Sequence, residues 1–290
     1  MSMMGPRAAS IAIGADLGGT RVRLVAVRDG RVIGRLSTSA PSLSNLPTFL
    51  HGVWKDRGWT SRDVGALVLA SRGIWTARER RDFAGRLARL AGRVAVFSDA
   101  QAALLGALGD TPGVLILAGT GSIVVGRDAH GRWARAGGLG PLLGDEGSAF
   151  WIGREWLRAT TDGEDFLPVR RLVTRPDAVS RIAALAPSVL ARAHRGDSTA
   201  RAIVRAAQGH LASLARDVVR QLRLPRPVSV SWAGGVLDDL RFRGGLRRAV
   251  ARRGLDARWR APLAAPVTAV AALAQQALGT PPGVPGRRVL

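Results

Sequence analysis

The chain has 290 residues, a hydrophobic content of 47% and a formal net charge of +22. A chain of this length buries a large core, and we expect it to form two domains. The absence of cysteine excludes disulfides, thiolate zinc sites, cysteine nucleophiles and cysteine-bound iron–sulfur clusters. No apolar run approaches the length that spans a bilayer, and residues 1–10 lack an apolar signal region, so we expect a cytoplasmic protein without a membrane partner.

The positive charge is almost entirely arginine, since Lys55 is the only lysine. Arginine clusters at residues 78–81 and 241–253 raise the question of nucleic-acid binding. The chain has no tyrosine, only 5% aromatic residues, and no helix-turn-helix or RNA-binding signature. We therefore expect the arginines to reflect solubility or genome composition, and we expect no specific nucleic-acid partner.

The first hundred residues alternate between strand and helix patterns. A strand at 11–15 ends in Asp16-Leu17-Gly18-Gly19-Thr20, a second strand covers 21–27, and Asp29-Gly30 predicts a tight hairpin into a third strand at 31–36. Helices are predicted at 46–54, 83–90 and 100–108, with strands at 64–70 and 94–97. The order βββαβα predicts an α/β domain with a mixed sheet.

The same arrangement of strands and turns recurs in the middle of the chain. A strand at 113–118 ends in Gly119-Thr120-Gly121-Ser122, and strands on either side of a tight turn at 128–131 follow. Glycines beside a hydroxyl residue allow backbone N–H groups to approach phosphate oxygens. The alternative is two ordinary hairpins. Two copies of one phosphate-binding unit predict two similar domains, with Thr20 and Thr120 facing each other across one groove.

The remainder of the chain reads mainly as helix. Glycine-rich segments at 137–140 and 144–148 lead into a helical run that ends near residue 158. Long helices are predicted at 178–193 and 198–222, followed by a strand at 228–232 that ends in Ala233-Gly234-Gly235. A helix to about residue 253, a last helix at 265–278 and a frayed tail at 280–290 complete the prediction.

Two aspartates have the positions that phosphoryl transfer requires. Asp99 follows the strand at 94–97, at the strand end where open α/β sheets bind ligands, so it is the candidate base for an attacking hydroxyl. The alternative role is a helix cap, which Ser98 already supplies. Asp16 ends the first strand and is the candidate ligand of Mg²⁺ through water, with an Asx turn as the alternative.

These motifs, in this order, resemble those of sugar kinases in the actin/hexokinase/Hsp70 superfamily. The run GGLGPLLGDEGSAFWIGREWL resembles in particular the N-acetylglucosamine kinase and BadF/BadG/BcrA/BcrD ATPase family, and the resemblance extends over residues 10–278. It implies an α/β fold with two actin-like (ribonuclease H-like) domains, whose mixed sheets flank an ATP/substrate cleft. The implied boundaries are 10–111 plus about 265–290, and 112–264. The implied reaction uses ATP and Mg²⁺ to phosphorylate a hydroxyl of N-acetylglucosamine, glucosamine or a related amino sugar.

The resemblance also implies roles for individual residues. Nucleotide and phosphate contacts fall on Asp16, Gly18, Gly19, Thr20, Gly119, Thr120, Gly121, Ser122, Gly234 and Gly235. Substrate contacts fall on Asn45, Asp99, Thr120, Gly121, Gly138 and Asp145. Glu146 either supports Asp145 or occupies the first turn of a helix that starts near Gly147.

Three positions depart from the family pattern: Leu139 replaces a tryptophan, Arg72 replaces a small residue, and Thr268 stands where Gly-Ala is common. These departures leave open a second class of function, a non-catalytic nucleotide or sugar sensor. A third reading, a BadF-type ATPase, would lack an iron–sulfur cluster because the chain has no cysteine. The expected small-molecule partner is a sugar, and a homodimer is left open.

Overall fold

The computed structural model describes residues 10–18, 21–162 and 166–279. The chain divides into unit 1, Met1–Gly109 with Leu263–Leu290, and unit 2, Asp110–Pro262. The elements of unit 1 are β1 (Ile11–Leu17), β2 (Arg21–Arg28), β3 (Arg31–Ser39), α1 (Leu46–Asp56), β4 (Val64–Ser71), α2 (Ala77–Leu87), β5 (Arg93–Ser98), α3 (Asp99–Leu108) and α11 (Pro266–Gly279).

The elements of unit 2 lie between α3 and α11 in the chain. They are β6 (Gly113–Ala118), β7 (Ser122–Arg127), β8 (Trp133–Gly137), α4 (Ala149–Thr160), α5 (Phe166–Val173), α6 (Ala178–Ala183), α7 (Ala186–Arg195), α8 (Ser198–Leu222), β9 (Val228–Ala233), α9 (Gly235–Asp238), α10 (Leu240–Arg252) and β10 (Ala257–Trp259).

Unit 1 contains a five-stranded mixed sheet in the order β3-β2-β1-β4-β5. The first three strands are antiparallel neighbours, while β1, β4 and β5 run parallel. The β2–β3 hairpin is tight because Asp29 and Gly30 both adopt positive φ, 50° and 74°, as the favoured two-residue turn requires. The predicted mixed sheet is therefore confirmed, and the predicted order βββαβα is present, followed by a further strand and helix, β5 and α3.

Unit 2 repeats this sheet topology. Its order is β10-β9-β6-β7-β8, in which β6, β7 and β8 are antiparallel neighbours and β6, β9 and β10 run parallel. Asp128 closes the β7–β8 turn by accepting the N–H groups of His130 and Arg132. The repeat that the sequence predicts is thus present in the strand order of both sheets.

Helices cover the sheets and form a hydrophobic core in each unit. In unit 1, Leu46 and Leu50 of α1 pack with Leu67 of β4. In unit 2, Leu211 and Val218 of the long helix α8 belong to a core that also contains buried residues of β6, β7 and β9. Within the described residues, no helix is both long enough and apolar enough to cross a membrane.

Several helix predictions were wrong in their boundaries. The helix predicted at 83–90 runs from Ala77 to Leu87, because Thr76 and Glu79 form a capping box that starts it earlier. The helix predicted at 178–193 is two helices, and Pro187 lies in the first turn of the second. The helix expected after Gly235 is also two, since Asp239 caps α10 by accepting the N–H of Phe242.

Candidate functional site

The parallel strands of unit 1 end side by side at one edge of the sheet. Ser71, the last residue of β4, pairs with Leu17 of β1 and with Ser98 of β5. Asp99 follows Ser98 directly, and Asp16 lies one residue before the end of β1. The predicted base, Asp99, and the predicted ligand of Mg²⁺, Asp16, are therefore brought to the same edge, where the charge of Asp99 raises the pKa of Asp16.

Asp99 is the first residue of α3 but does not cap it. Ser98 is the cap, because its hydroxyl accepts the N–H of Gln101 and the Gln101 side chain accepts the N–H of Ser98. One Asp99 carboxylate oxygen accepts the N–H of Ala100 at 2.8 Å. Burial raises the pKa of Asp99 above its ordinary value of 3.8, while the bond to Ala100 and the charge of Arg72 act in the opposite direction. A half-buried carboxylate of raised pKa is suited to accept a proton.

Asp16 is buried, with a residue exposure of 7%. Burial raises its pKa, the guanidinium of Arg23 lowers it, and the negative charge of Asp99 raises it further. The Arg23 Nη1 atom lies 3.5 Å from Asp16 Oδ2. No group of three His, Cys, Asp or Glu side chains suited to a metal occurs in the described part of the chain. Asp16 fits Mg²⁺ as the single carboxylate that supplements phosphate and water ligands.

Of the remaining predicted residues of unit 1, the structure describes Asn45 and Gly18. Asn45 precedes α1, is exposed, and makes no side-chain bond to the helix that it precedes. The N–H of Gly18 donates to the carbonyl of Arg21 at 3.0 Å. Gly19 and Thr20 lie outside the described residues. The prediction that Thr20 faces Thr120 across one groove therefore stays a prediction.

In unit 2, the loop of residues 119–121 is attached to the start of α4. The N–H of Ala149 donates to the carbonyl of Gly119, and that of Phe150 donates to the carbonyl of Thr120. The N–H groups of Thr120 and Gly121 donate to no acceptor among the residues that the structure describes. These two adjacent donors are the groups of the loop that remain available to a phosphate.

Ser122 holds this loop together. It is buried, its N–H donates to Asp145 Oδ1 at 3.1 Å, and its hydroxyl donates to the carbonyl of Glu146 at 2.8 Å. Its carbonyl accepts the N–H of Gly138 at 3.0 Å. Because both donors of Ser122 are used internally, the phosphate contact predicted for this residue has no free donor.

Asp145 lies beside Gly121 and is buried, with a residue exposure of 7%. A Cβ atom on Gly121 would lie 2.8 Å from the Asp145 carboxylate, so any larger residue here would have to displace that carboxylate. Burial raises the pKa of Asp145, the N–H of Ser122 lowers it, and the charge of Glu146 raises it. Glu146 does not belong to the first turn of α4, because that helix begins at Ala149 with Ser148 as its cap.

A pocket of about 490 Å³ opens in unit 2 next to the 119–121 loop. Gly119 and Thr120 line one part of it, and mostly small side chains from α4, α6, α7, α9 and the turn after α6 line the rest. The lining residues are Gly119, Thr120, Ala149, Ser180, Ala183, Ala184, Ala186, Pro187, Leu190, Gly235 and Val236. A flat, largely apolar ring fits such walls, and Thr120, whose N–H is free, is one of the lining residues.

The two predicted glycines, Gly234 and Gly235, have different structural roles. Gly234 has a φ of 100°, and a Cβ atom there would lie 2.4 Å from the carbonyl oxygen of Ala118. Gly235 begins α9, lines the pocket, and has no atom within 4 Å of the position of an added Cβ. Gly234 therefore shapes the turn, while Gly235 faces the space that a ligand would fill.

The three departures from the family pattern all lie at exposed positions. Leu139 is 61% exposed and is followed by the exposed Leu142 and Leu143. Thr268 lies in the first turn of α11. Arg72 follows β4 and is exposed at the edge that carries Asp99.

Besides the internal hydrogen bonds of Ser122, sequence reasoning missed two parts of this arrangement. The walls formed by α6 and α7 were missed because residues 178–193 read as one amphipathic helix, although Pro187 could have indicated the break. Arg23 was missed as the partner of Asp16. The signal was the alternation of β2, which places residues 21 and 23 on the face opposite the core residues Val22 and Leu24.

The sequence model of the BadF/BadG/BcrA/BcrD ATPase family matches residues 13–271 of this chain. The chain belongs to this family. Among curated proteins, it is 31% identical over 173 residues to the N-acetylmuramic acid/N-acetylglucosamine kinase of Clostridium acetobutylicum, covering 52% of this chain and 56% of that protein. It is 29% identical over 189 residues to the N-acetyl-D-glucosamine kinase of Dictyostelium discoideum, covering 56% and 59%. The chain thus spans a little over half the length of the curated relatives that it matches.

Solved structures show the same fold. A proposed N-acetylglucosamine kinase from Chromobacterium violaceum superimposes with a TM-score of 0.64 at 24% identity, covering 92% of this chain and all of that one. A ROK family glucokinase from Streptomyces griseus, solved with glucose and AMPPNP, gives a TM-score of 0.60 at 20% identity, with coverage of 92% and 100%. At these identities the likeness establishes the fold alone. The predicted family and the predicted α/β fold with two mixed sheets are confirmed.

Proposed function

We propose that this protein is an ATP-dependent kinase that phosphorylates a hydroxyl group of an N-acetylated amino sugar. The observation that carries the proposal is Asp99, a half-buried carboxylate of raised pKa that the helix cap does not consume. Family membership and the names of the two curated relatives support the choice of ATP and of an amino sugar.

The proposed chemistry assigns the proton to Asp99. Its carboxylate accepts the proton of the attacking sugar hydroxyl while the oxygen of that hydroxyl forms a bond to the γ-phosphorus of ATP and the bond to the β-phosphate oxygen breaks. Only one Asp99 oxygen is used by the N–H of Ala100, so the carboxylate keeps acceptor capacity for the hydroxyl.

The proposed nucleotide site is the pocket of unit 2. The adenine ring lies between the small side chains of α6 and α7 and the backbone at Gly235, and the free N–H groups of Thr120 and Gly121 receive phosphate oxygens. Asp145 is proposed to accept a hydrogen bond from another sugar hydroxyl, since its Oδ1 is held by the N–H of Ser122. Asp16 is proposed to hold Mg²⁺ through water, and the metal, when bound, neutralises charge on the phosphates.

The experiment that tests this function is a coupled ADP-release screen across N-acetylglucosamine, N-acetylmuramic acid, glucosamine, N-acetylmannosamine and glucose. A kinase releases ADP in equal amounts with a phosphorylated sugar, which mass spectrometry identifies. Tight binding of ATP and sugar without any ADP release would instead identify a non-catalytic sensor. ADP release that no sugar increases would identify an ATPase.

A further inference from the structure

Arg72 is the exposed tip of a short loop at the edge of the unit 1 sheet that carries Asp99. It follows Ser71, and Ser71 pairs directly with Ser98, the residue before Asp99. Because adjacent strands lie about 4.8 Å apart, the residues that follow two paired strand ends start as neighbours. The guanidinium of Arg72 is also close enough to influence Asp99 electrostatically.

The loop that carries Arg72 is held firmly on its far side. Ile74 is buried, with 4% exposure. Thr76 and Glu79 form the capping box of α2, and Arg80 Nη1 donates to the carbonyl of Trp75 at 2.6 Å. Ser71 donates its hydroxyl to the carbonyl of Arg72 at 3.1 Å. The backbone on both sides of Arg72 is thus fixed, while its side chain is exposed.

Arg72 has no ion-pair partner among the described residues, although other arginines in the chain do. Arg23, at the same edge, is paired with Asp16. An arginine presents a planar fork of donors that matches a carboxylate. A neutral sugar ring gives this charge nothing to neutralise, whereas a sugar with a carboxylate substituent does.

We infer, on the basis of the proposed function, that Arg72 determines specificity by binding the carboxylate of an acidic amino sugar. When the reacting hydroxyl contacts Asp99, the substituents on nearby ring carbons lie within reach of the neighbouring strand end. A carboxylate carried there on a short ether arm meets the guanidinium. Arg72 does not act on the reacting atoms, and its effect is selectivity for a substrate class.

The test compares N-acetylmuramic acid with N-acetylglucosamine, which differ by a carboxylate-bearing ether on the ring. The readout is the ratio of kcat/KM for the acidic sugar to kcat/KM for the neutral one. Loss of the Arg72 charge also changes the electrostatics of Asp99, but that change applies to both substrates and cancels in the ratio. Arg72→Gln is expected to lower the ratio by about 10- to 100-fold, the range expected for one charge-assisted hydrogen bond.

Two further variants make the comparison specific. Arg72→Lys keeps the charge but loses the planar fork, so its ratio should fall between those of the wild type and Arg72→Gln. Arg31→Gln removes an exposed arginine at the start of β3, at the opposite edge of the same sheet, and should leave the ratio unchanged. A melting curve for each variant checks the fold, since surface substitutions change stability by about 0.5 kcal/mol or less.

The outcomes separate this inference from the proposed function. If the wild type phosphorylates N-acetylglucosamine and Arg72→Gln leaves the ratio of the two kcat/KM values unchanged, the inference is overturned while the proposed function stands. A raised KM for ATP with an unchanged ratio would also overturn it, because the guanidinium would then serve the phosphates. Calorimetric titration with N-acetylmuramic acid adds a test independent of turnover. Binding that Arg72→Gln weakens at least about 10-fold supports the inference even without kinase activity. No binding by the wild type overturns it.

Discussion

Gly234 and Gly235 offer a matched pair of substitutions that tests the architecture of the unit 2 pocket. An alanine at residue 234 would place its Cβ 2.4 Å from the carbonyl oxygen of Ala118, at a backbone φ of 100°. At residue 235 the added Cβ has no atom within 4 Å. The two variants add the same methyl group to adjacent residues, but only the first meets an obstacle.

The expected cost of Gly234→Ala has two parts. A non-glycine residue in a sparsely populated positive-φ region costs about 1–3 kcal/mol. The overlap with the Ala118 carbonyl pushes the ends of β6 and β9 apart, and overpacking of this kind costs about 1–3 kcal/mol. The free energy of unfolding should therefore fall by about 2–6 kcal/mol, a large share of the typical total of about 5–15 kcal/mol. Gly235→Ala should change it by no more than about 1 kcal/mol.

Urea unfolding and titration with a non-hydrolysable ATP analogue measure the two effects separately. Gly234→Ala should lower the urea midpoint. Gly235→Ala should keep the midpoint and weaken binding of the analogue, because its methyl group enters the pocket that we assign to adenine. A Gly234→Ala variant as stable as the wild type would refute the packing argument. Unchanged affinity in Gly235→Ala would refute the assignment of the pocket.

Other predictions concern buried carboxylates and net charge. Asp99→Asn should raise the melting temperature at pH 7. Burial raises the pKa of Asp99, so the folded state loses stability as pH rises through that pKa, and the neutral asparagine avoids this loss. Below pH 3.8 the aspartate is protonated in both states, and the gain should vanish. In the pH profile of kcat/KM, the acidic limb should have an apparent pKa above 3.8, the ordinary pKa of an aspartate. An apparent pKa at or below 3.8 contradicts Asp99 as the base. Asp145→Ala should lower the unfolding free energy by about 1–3 kcal/mol, since the N–H of Ser122 loses its acceptor; Glu146→Gln is the control in matched urea curves. Binding to duplex DNA should weaken about 10³-fold or more between 50 and 200 mM salt, and a complex that survives high salt contradicts the expected lack of specific recognition.

The order of strands and helices along the chain and the mixed character of the first sheet could be predicted from local patterns. The pair Asp29-Gly30 specifies its hairpin through backbone conformation, and alternation in β2 specifies which face is buried. The position of Asp99 also followed from local sequence, because a capping serine after a buried strand places the next residue at the strand end. Such features depend on residues that are close in sequence, so no knowledge of the tertiary fold was needed.

The features that sequence reasoning missed depend on contacts between distant residues. The roles of Ser122 were not visible, since its partners Asp145 and Glu146 are more than twenty positions away in the chain. The split between α6 and α7, which shapes the pocket, depends on packing as well as on Pro187. Local sequence therefore indicated which residues are candidates, while the hydrogen bonds decided which donors and acceptors stay free.

The most direct test of the proposed function compares the wild type with Asp99→Asn in sugar phosphorylation and in binding of the ATP analogue. We predict that the wild type forms ADP and sugar phosphate in equal amounts. We also predict that kcat falls by about 10²- to 10⁴-fold in the variant, while the dissociation constant of the analogue stays the same. Asparagine keeps the size of the side chain and can still accept the N–H of Ala100, but it cannot take the proton of the attacking hydroxyl. Wild-type kcat in Asp99→Asn, or no sugar phosphate from the wild type with any amino sugar, would contradict the account.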